Sequence, residues 1–260
     1  MTPDPEPLLL RSDQSGVAWL TLNRPAARNA LSIPLMTALE AALAAVAADR
    51  SVRVAVIGGA GPAFCAGHDL REVRHAGRAQ HVALFAQCSR LMQSIVGLRV
   101  PVIARVHGVA TAAGCQLVAT CDLAVAADTA RFATPGVNIG LFCSTPMVAL
   151  SRAVGRKAAM EMLLTGEMVG AAEAVRLGLA NRAVPEAELD GAVRDLAGRI
   201  AAKSRTVVAM GKPAFYAQAE MTLADAYAHT AEVMVRNMQE PDAAEGIDAF
   251  LAKRTPVWAG

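Results

Sequence analysis

Residues 102–123, V-I-A-R-V-H-G-V-A-T-A-A-G-C-Q-L-V-A-T-C-D-L, join a β-branched run to a turn of small residues that opens into a helix near Ala112. The first N–H groups of a helix have no partner inside it. With only small side chains around them they are free to hold an anion. A second turn of this kind lies upstream, where the apolar run 52–58 ends in G-G-A-G-P and continues as F-C-A-G-H-D-L at 64–70. Two bare-amide turns at strand exits suggest an oxyanion hole of two backbone donors, a device that polarises a thioester or ester carbonyl. Around them, at 102–140, no Glu or Asp occupies a position suited to general acid–base chemistry.

The remaining reactive side chains are sparse. Five cysteines (Cys65, Cys88, Cys115, Cys121, Cys143) include no C-x-x-C pair and no His at metal-ligand spacing, so no metal site is expected. They read as reduced thiols of a cytoplasmic-type compartment. Cys143 and Ser144 lie in L-F-C-S-T-P, and Ser144 has no evident adjacent base. Asp69 is placed to cap the helix after it, Asp122 to order a helix–strand corner, and His107 to serve structurally at a strand exit.

The elements that must position these residues alternate. Strands are expected at 8–11, 16–22, 52–58, 102–106 and 123–127, the first two joined by a D-Q-S-G turn. Helices are expected at 34–48, with Ser32 as its cap, and at 81–98, with Phe85, Cys88, Met92 and Ile95 aligned. This βαβα order implies parallel strands with helical crossovers. From 156 onward the pattern is helical: 156–164, 171–177, 186–203, 204–220, 223–238 and 241–253.

The chain has 260 residues, enough for a large core, with 54% hydrophobic but only 4% aromatic residues. An Ala-, Val- and Leu-rich core favours helices packed closely on a sheet. Net charge is +2, with 25 basic and 23 acidic residues dispersed. That argues against a polyanion-binding surface, hence no nucleic acid partner, while leaving room for a local basic pocket. No apolar run approaches the roughly 18 residues that span a bilayer, and M-T-P-D-P-E-P has no signal-peptide features. A cytoplasmic protein without a membrane partner is the expectation.

Five motifs occur in order: L-N-R-P-A-A-R-N-A-L at 22–31, F-C-A-G-H-D-L at 64–70, H-G-V-A-T-A-A-G-C-Q-L-V-A-T-C-D-L at 107–123, L-L-T-G-E-M-V-G-A-A-E-A-V-R-L-G-L-A at 163–180 and E-G-I-D-A-F-L-A-K-R at 245–254. Together they resemble the enoyl-CoA hydratase/isomerase (crotonase) superfamily over essentially the whole chain, and within it the divergent enoyl-CoA hydratase domain-containing subgroup. The resemblance implies an α/β, ClpP/crotonase-like spiral of ββα units at 1–200. It also implies a helical region at 201–260 for trimerisation and CoA closure, and a homotrimer or dimer of trimers. The ligand implied is an acyl-CoA or enoyl-CoA substrate, with no further cofactor. Carried over by position, the His68 and Ala113 amides form the oxyanion hole, and the CoA end lies against Ala26, Ala27, Arg28 and a strand at 66–70 that includes Ala66, Asp69 and Leu70. Phe250 and Lys253 resemble residues that close over CoA, sometimes from a neighbouring subunit.

The departure from the family pattern concerns mechanism. Gln116 and Gly136 stand where hydratases carry two glutamates, and Ser144 stands where some isomerases and dehalogenases carry an aspartate. An amide is no base near neutral pH, and loss of one acid–base group costs roughly 10²–10⁴ in rate. Ordinary hydration is therefore expected to be impaired, and restoring both glutamates is expected to raise it where the pocket geometry is otherwise preserved. Thioester hydrolysis, decarboxylation or isomerisation through the hole alone stays open, as does a non-catalytic acyl-CoA-binding or assembly role.

Overall fold

The computed structural model describes residues 6–259. Nine strands are found among them: β1 Leu9–Gln14, β2 Val17–Leu22, β3 Val54–Gly59, β4 Val102–Val106, β5 Val109–Thr111, β6 Leu123–Ala127, β7 Arg131–Ala133, β8 Val169–Gly170 and β9 Arg182–Val184. The helices are α1 Ile33–Ala48, α2 Leu70–His75, α3 Arg78–Gly97, α4 Ala113–Thr120, α5 Pro146–Ala153, α6 Arg156–Thr165, α7 Ala171–Leu177, α8 Leu189–Ala201, α9 Arg205–Ala219, α10 Leu223–Met238 and α11 Pro241–Leu251.

The main sheet has the order β1-β2-β3-β4-β6-β9, parallel from β2 onward. Its central strands V-A-V-I-G-G, V-I-A-R-V and L-A-V-A-A are almost wholly buried. Such unalternating apolar runs belong to a parallel sheet covered on both faces. The β1–β2 hairpin turns on two residues, Ser15 and Gly16, both at positive φ. This geometry matches the strand twist, so β1 runs on to Gln14 through half of the expected D-Q-S-G turn.

The passage from β4 to the helix is less direct than the sequence suggests. β5 intervenes and pairs with β7, and β8 completes a second sheet of order β5-β7-β8. The chain therefore repeats a step in which one strand joins the large sheet, the next joins the small one, and a helix follows. Val109–Thr111 is too short to carry a strand signal of its own; pairing with Arg131–Ala133 makes it one.

α9 is tied to the core by a buried ion pair. Lys212 lies 2.7 Å from Asp122 and donates to the Ile95 and Val100 carbonyls. Tyr216 donates to the same carboxylate, which also accepts the Val102 amide. Asp122 thus orders its corner as expected, and anchors the C-terminal helices as well. α9 and α10 bury no residue completely.

Candidate functional site

Four passes of backbone converge beyond the carboxyl ends of β3 and β4, the edge of an open α/β sheet where ligands generally bind. The 64–69 segment is laced to 107–111 by bonds from Phe64 to His107 O, Cys65 to Val109 O and Thr111 to Cys65 O. On its other side Leu31 donates to Gly67 O, and Asp69 to Leu31 O. The fourth pass enters where Ala112 donates to Ala133 O. These are isolated bridges rather than a strand at 66–70, and Leu70 already begins α2.

The approach is close because two glycines leave no side chain in the way. A Cβ on Gly114 would lie 2.0 Å from Cys65 O. On Gly67, at φ +98, it would lie 2.9 Å from Ala112 Cβ and 3.4 Å from Ala113 N. The turn carrying the His68 amide is therefore pressed against the turn carrying the Ala113 amide. Among the described residues neither amide has an acceptor. Ala113 is the first residue of α4, so its N–H also sits at the positive end of the helix dipole.

Ala112 adopts φ 51 and ψ −117, a region sparsely populated by residues with a side chain, at a cost of about 1–3 kcal/mol. That ψ fixes the plane of the 112–113 peptide and hence the direction of the Ala113 N–H. Strain is thus held at the residue that aims one of the two free donors.

The side chains around the amides are polar and poorly partnered. His68 packs edge-on against Phe85 of α3, ring centroids 5.4 Å apart, and its buried Nε2 has no hydrogen-bond partner among the described residues. Burial pushes its imidazole down to about 4, so the ring is neutral at pH 7. Gln116, 4% exposed, lies one turn beyond Ala113, and its Oε1 faces the Cys88 thiol at 3.9 Å. Phe85 and Cys88, one turn apart on α3, therefore wall both site elements. The Thr134 hydroxyl is fully buried and likewise unpartnered among the described residues.

Gly136 lies in a 3-10 turn at Pro135–Ile139. A Cβ there would meet Leu141 O at 2.7 Å and Cys143 Sγ at 2.9 Å. Restoring a glutamate at 136 with the pocket geometry preserved is opposed by this contact, because the 141–143 segment must shift to admit even a Cβ there. Ser144 is exposed, with its hydroxyl on Phe142 O, and shares no hydrogen bond with His68 or Gln116. Burial raises the Cys143 thiol and pushes Cys65, Cys88 and Cys115 up to about 12, so none is a thiolate nucleophile at pH 7.

Beside Gln116 opens a cavity of about 630 Å³, walled by Met92 and Val96 of α3, Ala119 of α4, Val148 of α5 and Phe215 of α9. Ala26 and Arg28 are exposed and Ala27 is half-buried, and the Arg28 carbonyl accepts the Ala66 amide. Phe250, 82% exposed, and Lys253 lie at the end of α11, with no hydrogen bond to 26–28.

Two positioning residues escaped the sequence reading. Arg24 donates to the Ala30 carbonyl and to the Asp69 carboxylate at 3.0 Å, which holds Asp69 below the usual carboxylate range. Asp69 also caps α2 through the Arg71 amide, as expected. Asn29, fully buried at φ 53, clamps the Ala60 and Ala63 carbonyls. Both belong to the 22–31 motif, where they are two of four polar residues (Asn23, Arg24, Arg28, Asn29), and nothing local singles them out. His107 is structural as expected, bound to Gly61 O at 2.7 Å and facing Arg105.

A family model described as enoyl-CoA hydratase/isomerase matches residues 12–260. The chain is 48% identical over 259 residues to enoyl-CoA hydratase domain-containing protein 3, mitochondrial, of Rattus norvegicus, covering 99% of this chain and 86% of that one. It is similar to a crystal structure of enoyl-CoA hydratase from Mycobacterium smegmatis, with 55% identity, TM-score 0.96 and coverage of 98% and 100%. It is also similar to that of human enoyl coenzyme A hydratase domain-containing protein 3, with 48% identity, TM-score 0.94 and coverage of 96% and 100%. The crotonase-like α/β fold and the domain-containing subgroup follow from these likenesses. The cytoplasmic expectation does not survive them, because the 48%-identical relative is named as mitochondrial. Reduced thiols and modest charge do not distinguish one reducing compartment from another.

Proposed function

The chain belongs to the enoyl-CoA hydratase/isomerase family, and from that membership we propose that it binds a CoA thioester with the carbonyl oxygen between the His68 and Ala113 amides. The observation that carries the reading is that both amides lack acceptors among the described residues and are pressed together at one turn contact. Two preorganised donors stabilise an enolate or tetrahedral oxyanion more than the ground-state carbonyl. The acyl chain would pass Gln116 into the cavity between α3, α4, α5 and α9. The CoA end would rest against Ala26, Ala27, Arg28 and Ala66, with Phe250 and Lys253 of a neighbouring chain closing over it in a homotrimer or dimer of trimers.

The reaction is limited by proton transfer. Gln116 can orient a water but cannot take its proton, and the neutral His68 imidazole is a weak base. The reading therefore favours isomerase- or hydrolase-type turnover of an activated thioester over efficient hydration. Calorimetric titration with butyryl-CoA and free CoA, beside turnover of an acyl-CoA panel, tests it. A thioester should bind at least tenfold more tightly than CoA. Equal affinities would remove the oxyanion hole, whereas tight binding without turnover would leave an acyl-CoA-binding protein.

A further inference from the structure

At the opposite end of the sheet a cavity of about 1070 Å³ opens between α1, the end of α3 and the start of α9. β3 separates it from the oxyanion turn by about 20 Å, its six residues at ~3.3 Å each. Arg53, Arg99, Lys203, Arg205 and Arg236 line it, against two carboxylates, Glu40 and Glu240. None of those five cations lies within 4 Å of a carboxylate among the described residues. On a chain of nearly balanced charge, such a cluster facing one concavity concentrates positive potential.

Two of the guanidinia are fixed in place. Arg53 donates Nη2 to Lys203 O, and Arg205 reaches back with Nε to Val52 O. Each is thus tethered to the other's strand or helix junction, which holds two like charges side by side. The Nε of Arg53 is buried and has no acceptor among the described residues. A buried donor at a charged group is costly to leave unmade, and a guanidinium fork fits phosphate oxygens. Leu43, Leu98 and Val208 add apolar wall to the cavity, beside the polar Ser94, Thr206 and Gln239.

We propose that this cavity is a second ligand site, distinct from the oxyanion turns, for a phosphate-bearing molecule with an apolar body. The phosphate sits between Arg53 and Arg205, and the apolar part lies on Leu43, Leu98 and Val208. The volume is that of a small-molecule site.

Hexyl phosphate and inorganic phosphate are the probes, each titrated calorimetrically into the full chain. Hexyl phosphate should bind at least tenfold more tightly than phosphate. The double variant Arg99→Glu/Arg236→Glu, whose exposed side chains make no hydrogen bond or ion pair among the described residues, should weaken it at least tenfold. Arg53→Gln should do so too, and the rim variant keeps the test valid if Arg53→Gln unfolds. Equal affinity for the two probes, no binding, or an unchanged affinity in the rim variant would each overturn the proposal.

Discussion

Cys143 closes the space over Gly136: its sulfur lies 2.9 Å from where any side chain at 136 would begin, with Leu141 O at 2.7 Å on the other flank. The position at which the family resemblance implies an acid in hydratases is crowded in this chain by the segment that follows it. Gly136→Ala is expected to destabilise the fold by about 1–3 kcal/mol, the cost of overpacking a filled site, read as a lower urea midpoint at unchanged slope. An unaltered midpoint would mean that the 141–143 loop yields freely. By the same contact Gln116→Glu/Gly136→Glu should lose stability without gaining hydration.

Hydration itself should be slow. Adding water to crotonyl-CoA needs a base for the water and an acid for the α-carbon. The Gln116 amide supplies neither, Gly136 has no side chain, and Ser144 is turned to Phe142 O. Turnover at least about 10³ below that of a two-glutamate enzyme is expected, followed by loss of the enoyl thioester absorbance. If the wild type instead matches ordinary hydratases, another group carries the proton, and His68→Phe should then abolish it.

Most of the sheet and both bare-amide turns were legible in residues 52–70 and 102–123, because β-branched runs and small-residue turns are local signals. β5 was not, since three residues become a strand only through Arg131–Ala133. Arg24 and Asn29 were equally hidden, because their partners Asp69, Ala60 and Ala63 are 31 to 45 residues away. The obstruction at Gly136 is a packing fact about a loop that follows it, and no residue pattern announces it.

The Lys212–Asp122 pair should govern how firmly α9 is held. Both side chains are largely buried, and removing one partner strands the other charge, at about 3–5 kcal/mol. Lys212→Met is expected to cost that much and to speed amide exchange across Arg205–Ala219. Adding Asp122→Asn should recover part of the loss, since no charge is then left buried. Strictly additive effects would mean that the two groups do not interact.

Association is expected from the C-terminal helices. Phe215 is 63% and Met234 58% exposed on α9 and α10, which bury no residue of their own. Apolar surface of that kind marks an interface. Light scattering at micromolar concentration should give three or six chains of 27.0 kDa, and Phe215→Lys/Met234→Lys should shift the population toward smaller species. A wild-type monomer would rule the interface out.

His68 should leave a signature in the pH dependence of stability. Unfolded, its imidazole titrates near 6.5; folded, burial brings it to about 4. Between those values the unfolded chain binds more protons, so stability rises with pH there and is lost as pH falls from 6.5 toward 4. The gap between the two values corresponds to a loss of about 3 kcal/mol at ~1.36 kcal/mol per pH unit, absent at neutral pH and complete once the folded ring has protonated. His68→Phe removes the titrating group and keeps an aromatic ring beside Phe85. Its unfolding free energy, measured from neutral pH down to about 4, should therefore fall less steeply than that of the wild type by that amount. Parallel curves would mean that the ring is solvated and protonates freely, and that His68 presents a cation to the thioester site in the acid range. With the ring neutral well above its folded value of about 4, any turnover should show no inflection from this residue near neutral pH.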